Sequence, residues 1–164
     1  MEKVHKNMEI SCVEVEDKKY PKLLKQSLKK LQLSSGPKKL YYKGNFCDEI
    51  FDISVAWGSL HYSDKEGIIP MLSEIKRITK TGGILLATLR NDRDTYLKNG
   101  KHLGNNTWQT GLDDLTGTIV SFYTEDEMKG LFRGFSELRY GWMERTIIGD
   151  TSKVISHWII AARK

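Results

Sequence analysis

Residues 51–90 read FDISVAWGSLHYSDKEGIIPMLSEIKRITKTGGILLATLR, and this stretch decides the fold. Residues 51–57 are rich in β-branched and aromatic side chains, and residues 84–89 form a short apolar run; both patterns predict strands. Between them, apolar residues recur at helical spacing with charged residues on the remaining face: Ile68, Met71, Leu72, Ile75 and Ile78. This order predicts a helical crossover between two adjacent parallel strands, and therefore an α/β layered protein.

The predicted helix is expected to end at Gly82 and Gly83. Only glycine adopts the left-handed backbone of a helix C-terminus without steric cost. The second strand would then start at Ile84.

Four short motifs in this region resemble the carboxyl half of class I S-adenosylmethionine-dependent methyltransferases. That family shares a Phe-Asp strand opening, a Leu-His pair, a helix ending in Lys-x-Gly-Gly, and a following strand. The matching residues are Phe51-Asp52, Leu60-His61, Lys80-Thr81-Gly82-Gly83 and Ile84-Leu85-Leu86. The resemblance implies a Rossmann-like, mostly parallel sheet flanked by helices, with S-adenosylmethionine as the cofactor.

The glycine-rich turn that opens this family's fold has no counterpart in the sequence. Relatives begin with a strand, a glycine turn and a helix whose amino end receives the cofactor. Residues 1–7 are too few for such a unit, which needs about 30 residues. We therefore expect a single domain over residues 1–164, truncated at its amino end and lacking the family's first strand.

Loss of that central strand would leave its neighbours with unpaired backbone groups. Three outcomes are open: a truncated product that folds poorly or self-associates, direct pairing of the two neighbouring strands, or a strand donated by a partner chain. We favour a shortened sheet that tends to form a homodimer.

Composition places the chain among ordinary globular proteins. Of its 164 residues, 29% are charged and 39% are hydrophobic, which is unlike a disordered chain or a membrane protein. No apolar run reaches the roughly 20 residues that cross a bilayer, and no signal segment opens the chain, so we expect a cytoplasmic protein. Cys12 and Cys47 have no metal-ligand spacing, so neither a metal site nor a disulfide is expected.

The net charge of +5 comes largely from lysines crowded into residues 18–43. Within residues 20–31 the lysines interleave with Leu24, Leu28 and Leu31, which is typical of the solvated face of an amphipathic helix. No nucleic-acid-binding motif accompanies them, so nucleic acid is not the partner we expect.

Further elements are predicted along the chain. Strands are expected at residues 9–15, 39–42 and 118–123, and Thr124 with Glu127 has the spacing of a capping box that starts a short helix. Residues 135–148 and 157–162 predict a final antiparallel pair of strands. Residues 91–117 are too polar for a core element.

The family resemblance assigns five residues to the cofactor. Glu14 would accept hydrogen bonds from the ribose hydroxyls, although it also fits a plain surface glutamate. Asn45 would lie near the adenine amino group, where relatives often carry aspartate. Phe46 would cover the adenine face or only pack the core. Trp57 and Gly58 follow their strand at the rim where open α/β sheets bind ligands.

Candidate residues for the chemistry follow the two strands of the crossover. His61 is the candidate base because it titrates near neutrality; the alternative is a structural histidine that caps its strand. Arg90, Asp92, His102 and Trp108 lie where the family inserts loops that contact substrate, and Trp108 could instead tie that loop down. Their variety predicts a small polar methyl acceptor.

The resemblance therefore implies a class I methyltransferase that acts on a small molecule. Without the glycine turn, the methionine end of the cofactor loses its backbone cradle, so the isolated chain is expected to bind weakly or to be inactive. One alternative is a catalytically silent domain that serves as a binding or assembly module. A second is an RNA methyltransferase, which only the lysine-rich segment supports.

Overall fold

The structure, a computed structural model, describes residues 46–164. The strands predicted at residues 9–15 and 39–42 and the helix predicted at residues 20–31 lie outside this range. In chain order the described elements are β1 (Phe51–Ala56), α1 (Ile68–Ile78), β2 (Thr79–Asn91), β3 (Gly100–Gly104), β4 (Thr107–Thr110), a 3₁₀ turn (Asp113–Leu115), β5 (Ile119–Tyr123), α2 (Glu125–Leu131), β6 (Glu137–Ile147) and β7 (Asp150–Arg163).

The crossover predicted from the sequence is confirmed. β1 and β2 are adjacent and parallel, with Ile53 opposite Ile84 and Ala56 opposite Ala87. The helix α1 connects them and buries Ile68 and Leu72, two of the residues whose spacing predicted it. The carboxyl ends of both strands therefore meet at the same edge of the sheet.

β2 organises the described part of the sheet. One of its edges pairs with β1 along residues 84–87 and then with β5 at Arg90 and Asn91, in both cases parallel. Its other edge pairs with β7, which runs antiparallel and continues into the β6–β7 hairpin. β3 and β4 extend the sheet beyond β5, also antiparallel. The Rossmann-like α/β class with an antiparallel C-terminal pair is confirmed, and the part of the sheet described between residues 46 and 164 is mixed.

The main core lies between the two helices and one face of the sheet. Leu85, Ala87 and Leu89 of β2 are fully buried there. Both helices and the last strand contribute to the same cluster, through Ile68, Leu72, Met128, Trp158, Ile160 and Ala162. Side chains alternate between the faces of a strand, so this burial fixes which face of the sheet the helices cover.

A second, smaller cluster packs beside β5; we call it the β5 cluster. Leu97, Val120 and Phe122 are completely buried in it. Trp108 and Tyr96 pack against its edge. Because β5 also places Tyr123 in the main core, this one strand joins the two clusters.

The prediction that the glycine pair ends α1 is wrong. α1 ends at Ile78 rather than at the glycine pair, and Gly82 and Gly83 lie within β2. Thr79 is extended, and its Oγ1 bonds the Ile75 carbonyl at 2.6 Å and the Ser54 hydroxyl at 2.7 Å. These bonds satisfy the helix end before the glycine pair is reached. Gly82 does have a left-handed backbone, with φ of +80°, but it lies within β2, where the register between β1 and β2 shifts.

Residues 91–117 also hold more structure than their polarity predicted, because β3 and β4 form a hairpin there. Polar side chains are buried in pairs: the Thr107 and Ser121 hydroxyls share a hydrogen bond of 2.9 Å between β4 and β5. Paired hydroxyls can occupy a buried sheet position that an unpaired polar group could not. Within residues 46–164, no helix combines the length and the apolar character needed to span a bilayer.

Candidate functional site

The candidate site is the rim formed by the carboxyl ends of β1 and β2. Trp57 and Gly58 follow β1, and Asp92 follows β2. The Gly58 N–H donates to Thr88 Oγ1 of β2 at 2.8 Å, which fixes the two strand ends to each other. Gly58 has φ of +65°, a conformation that glycine adopts at no steric cost, so the chain turns sharply away from the sheet.

The rim presents an aromatic face next to an open stretch of backbone. Trp57 is 58% exposed although it directly follows a strand. A Cβ placed on Gly58 would meet no atom within 4 Å, so there is space beside this turn. An exposed indole face with free space beside it can receive a planar or a cationic group.

The loop after Gly58 is held against β5. Ser121 donates its N–H to the His61 carbonyl at 2.9 Å and its hydroxyl to the Ser63 carbonyl at 2.7 Å. Lys65 donates to the Phe122 carbonyl at 2.5 Å and pairs with Glu127 at 2.9 Å. The same ammonium group lies 4.0 Å from the centre of the Tyr123 ring. This side of the rim is therefore supported by the sheet rather than by a free loop.

His61 is buried below the rim, with 1% of its surface exposed. Neither ring nitrogen makes a hydrogen bond of ordinary geometry. Burial holds its pKa well below 6.5, and the charges of Arg90 and His157 lower the pKa further, although a nearby Thr88 backbone group favours the charged form. At neutral pH the imidazole is therefore uncharged and weakly basic.

Arg90 is also buried, and its charge is compensated within the protein. Its guanidinium donates to Asp94 Oδ2 at 2.6 Å. Asp94 is fully buried and also accepts backbone N–H groups from Leu97 at 3.1 Å and Ser156 at 2.9 Å. This ion pair joins the end of β2 to the following loop and, through Asp94, to β7.

His157 of β7 adjoins this buried group. Its ring centre lies 5.8 Å from that of His61. Burial is the main cause that lowers its pKa to about 4, and Arg90 adds to the effect. Two neutral imidazoles and one ion pair thus lie directly beneath the rim.

The other predicted substrate residues lie in two places. Asp92 is half-buried; its N–H donates to the Tyr123 carbonyl at 3.1 Å, and its carbonyl accepts from Lys98 at 2.6 Å. His102 and Trp108 are opposite each other in the β3–β4 hairpin, with ring centres 4.8 Å apart. Trp108 packs on the β5 cluster, and this contact favours the role of tying the loop down.

Of the predicted cofactor residues, Glu14 and Asn45 lie outside the described residues. Phe46 is half-buried and packs edge-on against Phe51, with ring centres 5.3 Å apart. Phe51 opens β1, so this contact is at the opposite end of the strand from Trp57. Of the two roles predicted for Phe46, the described contact is packing.

Comparison with solved structures identifies the fold. A SAM-dependent methyltransferase of Methanosarcina mazei superposes with a TM-score of 0.57 at 19% identity, over 73% of this chain and 62% of that one. The fold is that of a SAM-dependent methyltransferase. A protein of Thermotoga maritima, described as a SAM-dependent methyltransferase and possible histamine N-methyltransferase, has a TM-score of 0.52 at 20% identity, over 73% of this chain and 59% of that one.

The chain thus spans about three fifths of the length of each of these methyltransferases. No protein-family model matches the sequence. No curated protein matches it either.

In this methyltransferase fold, three residues of the rim were not predicted from the sequence: Lys65, Asp94 and His157. Lys65 and Asp94 act through partners 57 to 62 residues away along the chain. The position of His157 depends on the register of β7 against β2, where it is opposite Arg90. Only the hydrophobic pattern of β7 was visible in the sequence, and a pattern predicts a face but not a partner.

Proposed function

We propose that this chain carries the core of an S-adenosylmethionine-dependent methyltransferase that acts on a small polar molecule. The observation that supports this most strongly is the joined pair of carboxyl ends after β1 and β2, which places Trp57, Gly58 and Asp92 at one edge of a methyltransferase fold. Ligands of open α/β sheets bind outside the carboxyl ends of the strands.

The described residues fit one part of the cofactor. A sulfonium is a cation, and the exposed Trp57 face beside the open Gly58 turn suits such a group. Glu14 would hold the ribose hydroxyls, as the family resemblance implies. Asn45 is not assigned to the adenine, because the next residue, Phe46, packs on Phe51 at the end of β1 away from Trp57. The cofactor would supply a methyl group on a positively charged sulfur; the acceptor's lone pair would bond to the methyl carbon as the carbon–sulfur bond breaks, and the sulfur would leave as a neutral thioether.

The roles of the remaining rim residues follow from their surroundings. His61 is buried and weakly basic, which favours the structural role over that of a general base. Arg90 is compensated by Asp94 and orders the end of β2. Asp92 and Trp57 are the groups that could position an acceptor, and positioning is the main requirement of methyl transfer. An acceptor that reacts without a strong base, such as a neutral amine, suits this rim best.

Isothermal titration with S-adenosylhomocysteine tests the proposal. We expect measurable binding to the unaltered chain, and an affinity at least tenfold lower in Trp57→Ala. Trp142→Ala is the matched control, because Trp142 is also 58% exposed but lies on β6, away from the rim. An absence of heat at millimolar ligand, or an equal loss in both variants, would contradict it.

The second candidate is a catalytically silent module for binding or assembly. Two observations favour it: Arg90 forms an ion pair with Asp94, and His61 is buried. Neither of these two predicted groups is therefore exposed for contact with a substrate. A chain that folds, binds no S-adenosylhomocysteine and transfers no methyl group would establish this alternative. RNA methylation remains a third candidate, and binding to RNA that is undetectable or independent of salt would exclude it.

Assembly is a separate proposal. Within residues 46–164, β1 pairs only with β2, so its other edge has no described partner strand. A homodimer or a strand-donating partner would complete this edge. Light scattering coupled to size-exclusion chromatography tests the homodimer, and a monomer at all concentrations would contradict it. A single domain over residues 1–164 and a cytoplasmic location complete the proposal.

A further inference from the structure

β6 is an edge strand of the sheet. Within residues 46–164 only β7 pairs with it, so its other edge is free of described strands. It is 11 residues long, from Glu137 to Ile147, and contains no proline. A long edge strand presents a row of unpaired backbone N–H and C=O groups, and another chain can pair with them. This edge lies on the opposite side of the sheet from β1, so it is a different surface from the one proposed above for assembly.

The middle of β6 also exposes large apolar side chains. Trp142 is 58% exposed, Met143 42% and Tyr140 39%. Tyr140 and Trp142 both pack edge-on against Trp158 of β7, with ring centres 6.0 Å and 6.3 Å apart. The two rings are therefore held in place by β7 while part of their surface remains in solvent. An exposed aromatic patch that is already ordered is typical of an interaction surface.

The hydrogen bonds of β7 show which backbone groups of β6 point to its free edge. The Lys164 N–H bonds the start of β2, whereas the Arg163 carbonyl accepts the Ser136 N–H on the side of β6. Successive residues of a strand point their backbone groups to opposite edges, so the odd-numbered residues of β7 bond to β6. Gly141 lies opposite Ile159 and therefore bonds to β7. The residues on either side of Gly141 point their N–H and C=O groups to the free edge.

A second copy of β6 fits this edge in an antiparallel pairing whose two-fold axis passes beside Gly141. In this register Tyr140 lies opposite Trp142 of the second copy, and the outward-pointing backbone groups of these residues form a hydrogen-bonded pair. Gly141 lies opposite its own copy in a non-hydrogen-bonded pair, where the Cα atoms are only about 4.5 Å apart. A glycine leaves room at this closest point, and the exposed rings of both copies then contact one another across the interface.

Charge complementarity selects this register. It sets Glu137 opposite Arg145 of the second copy, and the two-fold axis makes this pair occur twice. A shift of the pairing by two residues would instead set Arg139 opposite Arg145, and like charges directly opposite each other are destabilising. Glu137 already bonds Arg139 at 2.7 Å and Arg163 at 3.1 Å. A carboxylate has about four acceptor sites, so it can accept the additional arginine.

We infer that the chain forms a homodimer in which two β6 strands pair about Gly141 and continue the sheet from one copy into the other. The same surface serves both copies, so the assembly closes as a dimer and does not extend into a fibre. Backbone hydrogen bonds hold the strands together, and the side chains of Tyr140, Trp142, Glu137 and Arg145 set the register. The inference does not depend on methyl transfer.

Disulfide cross-linking in the full chain tests the register. In a background with Cys12→Ser and Cys47→Ser, Gly141→Cys places two thiols opposite each other across the two-fold axis. A Cβ at Gly141 meets nothing within 4 Å, so the folded monomer has room for it. Met143→Cys is the matched control, because its two copies would be about 14 Å apart along the strands. Under mild oxidation we expect at least fivefold more covalent dimer from Gly141→Cys, and equal yields or no covalent dimer would overturn the inference.

Charge reversal tests the interface without cysteine chemistry. Sedimentation equilibrium should show a dimer that is weakened about tenfold in Glu137→Arg and in Arg145→Glu, because each variant sets like charges opposite each other twice. Equal amounts of the two variants should associate with each other about as tightly as the unaltered chain, since opposite charges then meet again. Lys101→Glu, on β3 at the other side of the sheet, makes a charge change of the same size and should leave the dimer unchanged.

Three results would overturn the inference. The first is a monomer of the unaltered chain at all concentrations. The second is a mixture of the two charge variants that associates no more tightly than either variant alone. The third is a dimer that persists unchanged in both variants, which would place the interface on another surface, such as the free edge of β1.

Discussion

Gly83 lies where the end of α1 and the strands β1 and β2 approach one another. A Cβ at this position would meet Thr79 Cγ2 at 2.8 Å and the backbone carbonyls of Asp52 and Lys80, each at 2.9 Å. Two of these atoms belong to the backbone and cannot rotate away. Gly83 is therefore needed for close packing at this point, whereas Gly82 has open space around it and a φ of +80°.

We predict that Gly83→Ala lowers the free energy of unfolding by about 1–3 kcal/mol, because the inserted methyl group forces the strands apart. Gly141→Ala on β6 is the control, since its added Cβ would meet nothing within 4 Å. Urea unfolding curves measure both. Equal midpoints for the two variants would contradict the steric argument.

The paired imidazoles below the rim predict a dependence of stability on pH. Both are held neutral in the folded chain by burial, and His157 has a pKa of about 4. In the unfolded chain they protonate near pH 6.5, so below that pH the unfolded state binds more protons. The free energy of unfolding should therefore fall as the pH drops from about 6.5 toward 4.

Burial sets the sign of the effect, and the charged groups that face these rings add to it or oppose it. Arg90 lowers both pKa values, Arg145 also lowers that of His157, and Asp94 raises it. Urea unfolding at pH 7.5 and pH 5 measures the loss, which should be smaller in His157→Gln. A loss of the same size in that variant would show that other groups cause it.

Among the elements, α2 has the clearest sequence signal. Glu127 N–H donates to Thr124 Oγ1 at 3.3 Å, and the Glu127 carboxylate accepts the Thr124 N–H at 2.8 Å, which completes the capping box. Both bonds lie within four residues, so the motif alone was sufficient to predict them.

We predict that Thr124→Ala lowers the free energy of unfolding by about 1 kcal/mol, because the first turn of α2 loses its cap. Thr124→Ser keeps the hydroxyl and should retain most of the stability. Thermal unfolding followed by circular dichroism compares them. A serine variant as unstable as the alanine variant would assign the effect to the lost methyl group.

Elements with periodic side chains were predicted from the sequence, and elements fixed by distant partners were not. The spacing of Ile68 and Leu72 predicted α1, and the apolar run after Gly83 predicted β2. The β3–β4 hairpin was missed because its buried polar residues are paired with β5, which the local pattern does not show. Trp57 and Gly58 of the rim were predicted because they directly follow a recognisable strand. Asp94 was missed because it accepts a hydrogen bond from Ser156, which is distant along the chain.

At the scale of the whole described molecule, the two hydrophobic clusters are joined by β5. Leu97 is completely buried in the β5 cluster, next to Val120 and Phe122. The main core lies on the other side of the same strand, where Tyr123 packs. This arrangement predicts that the hairpin region can loosen while β1, β2 and β7 stay folded.

We predict that Leu97→Ala costs about 2–5 kcal/mol, because it opens a cavity in a fully packed cluster. Hydrogen exchange should speed up between residues 95 and 123 and remain slow in β7. Leu103→Ala, at a residue 44% exposed on β3, is the control and should change little. Faster exchange throughout the described residues would show that the two clusters unfold together.

Lys164 is held at the end of the sheet where β2 starts. Its N–H donates to the Gly83 carbonyl at 3.0 Å, its carbonyl accepts the Gly82 N–H at 3.0 Å, and its side chain donates to the Thr79 carbonyl at 2.8 Å. The rim with Trp57 is at the far end of the same strands. An affinity handle attached after Lys164 would thus leave the rim facing free solution, so the protein can be immobilised on a sensor surface for ligand measurements.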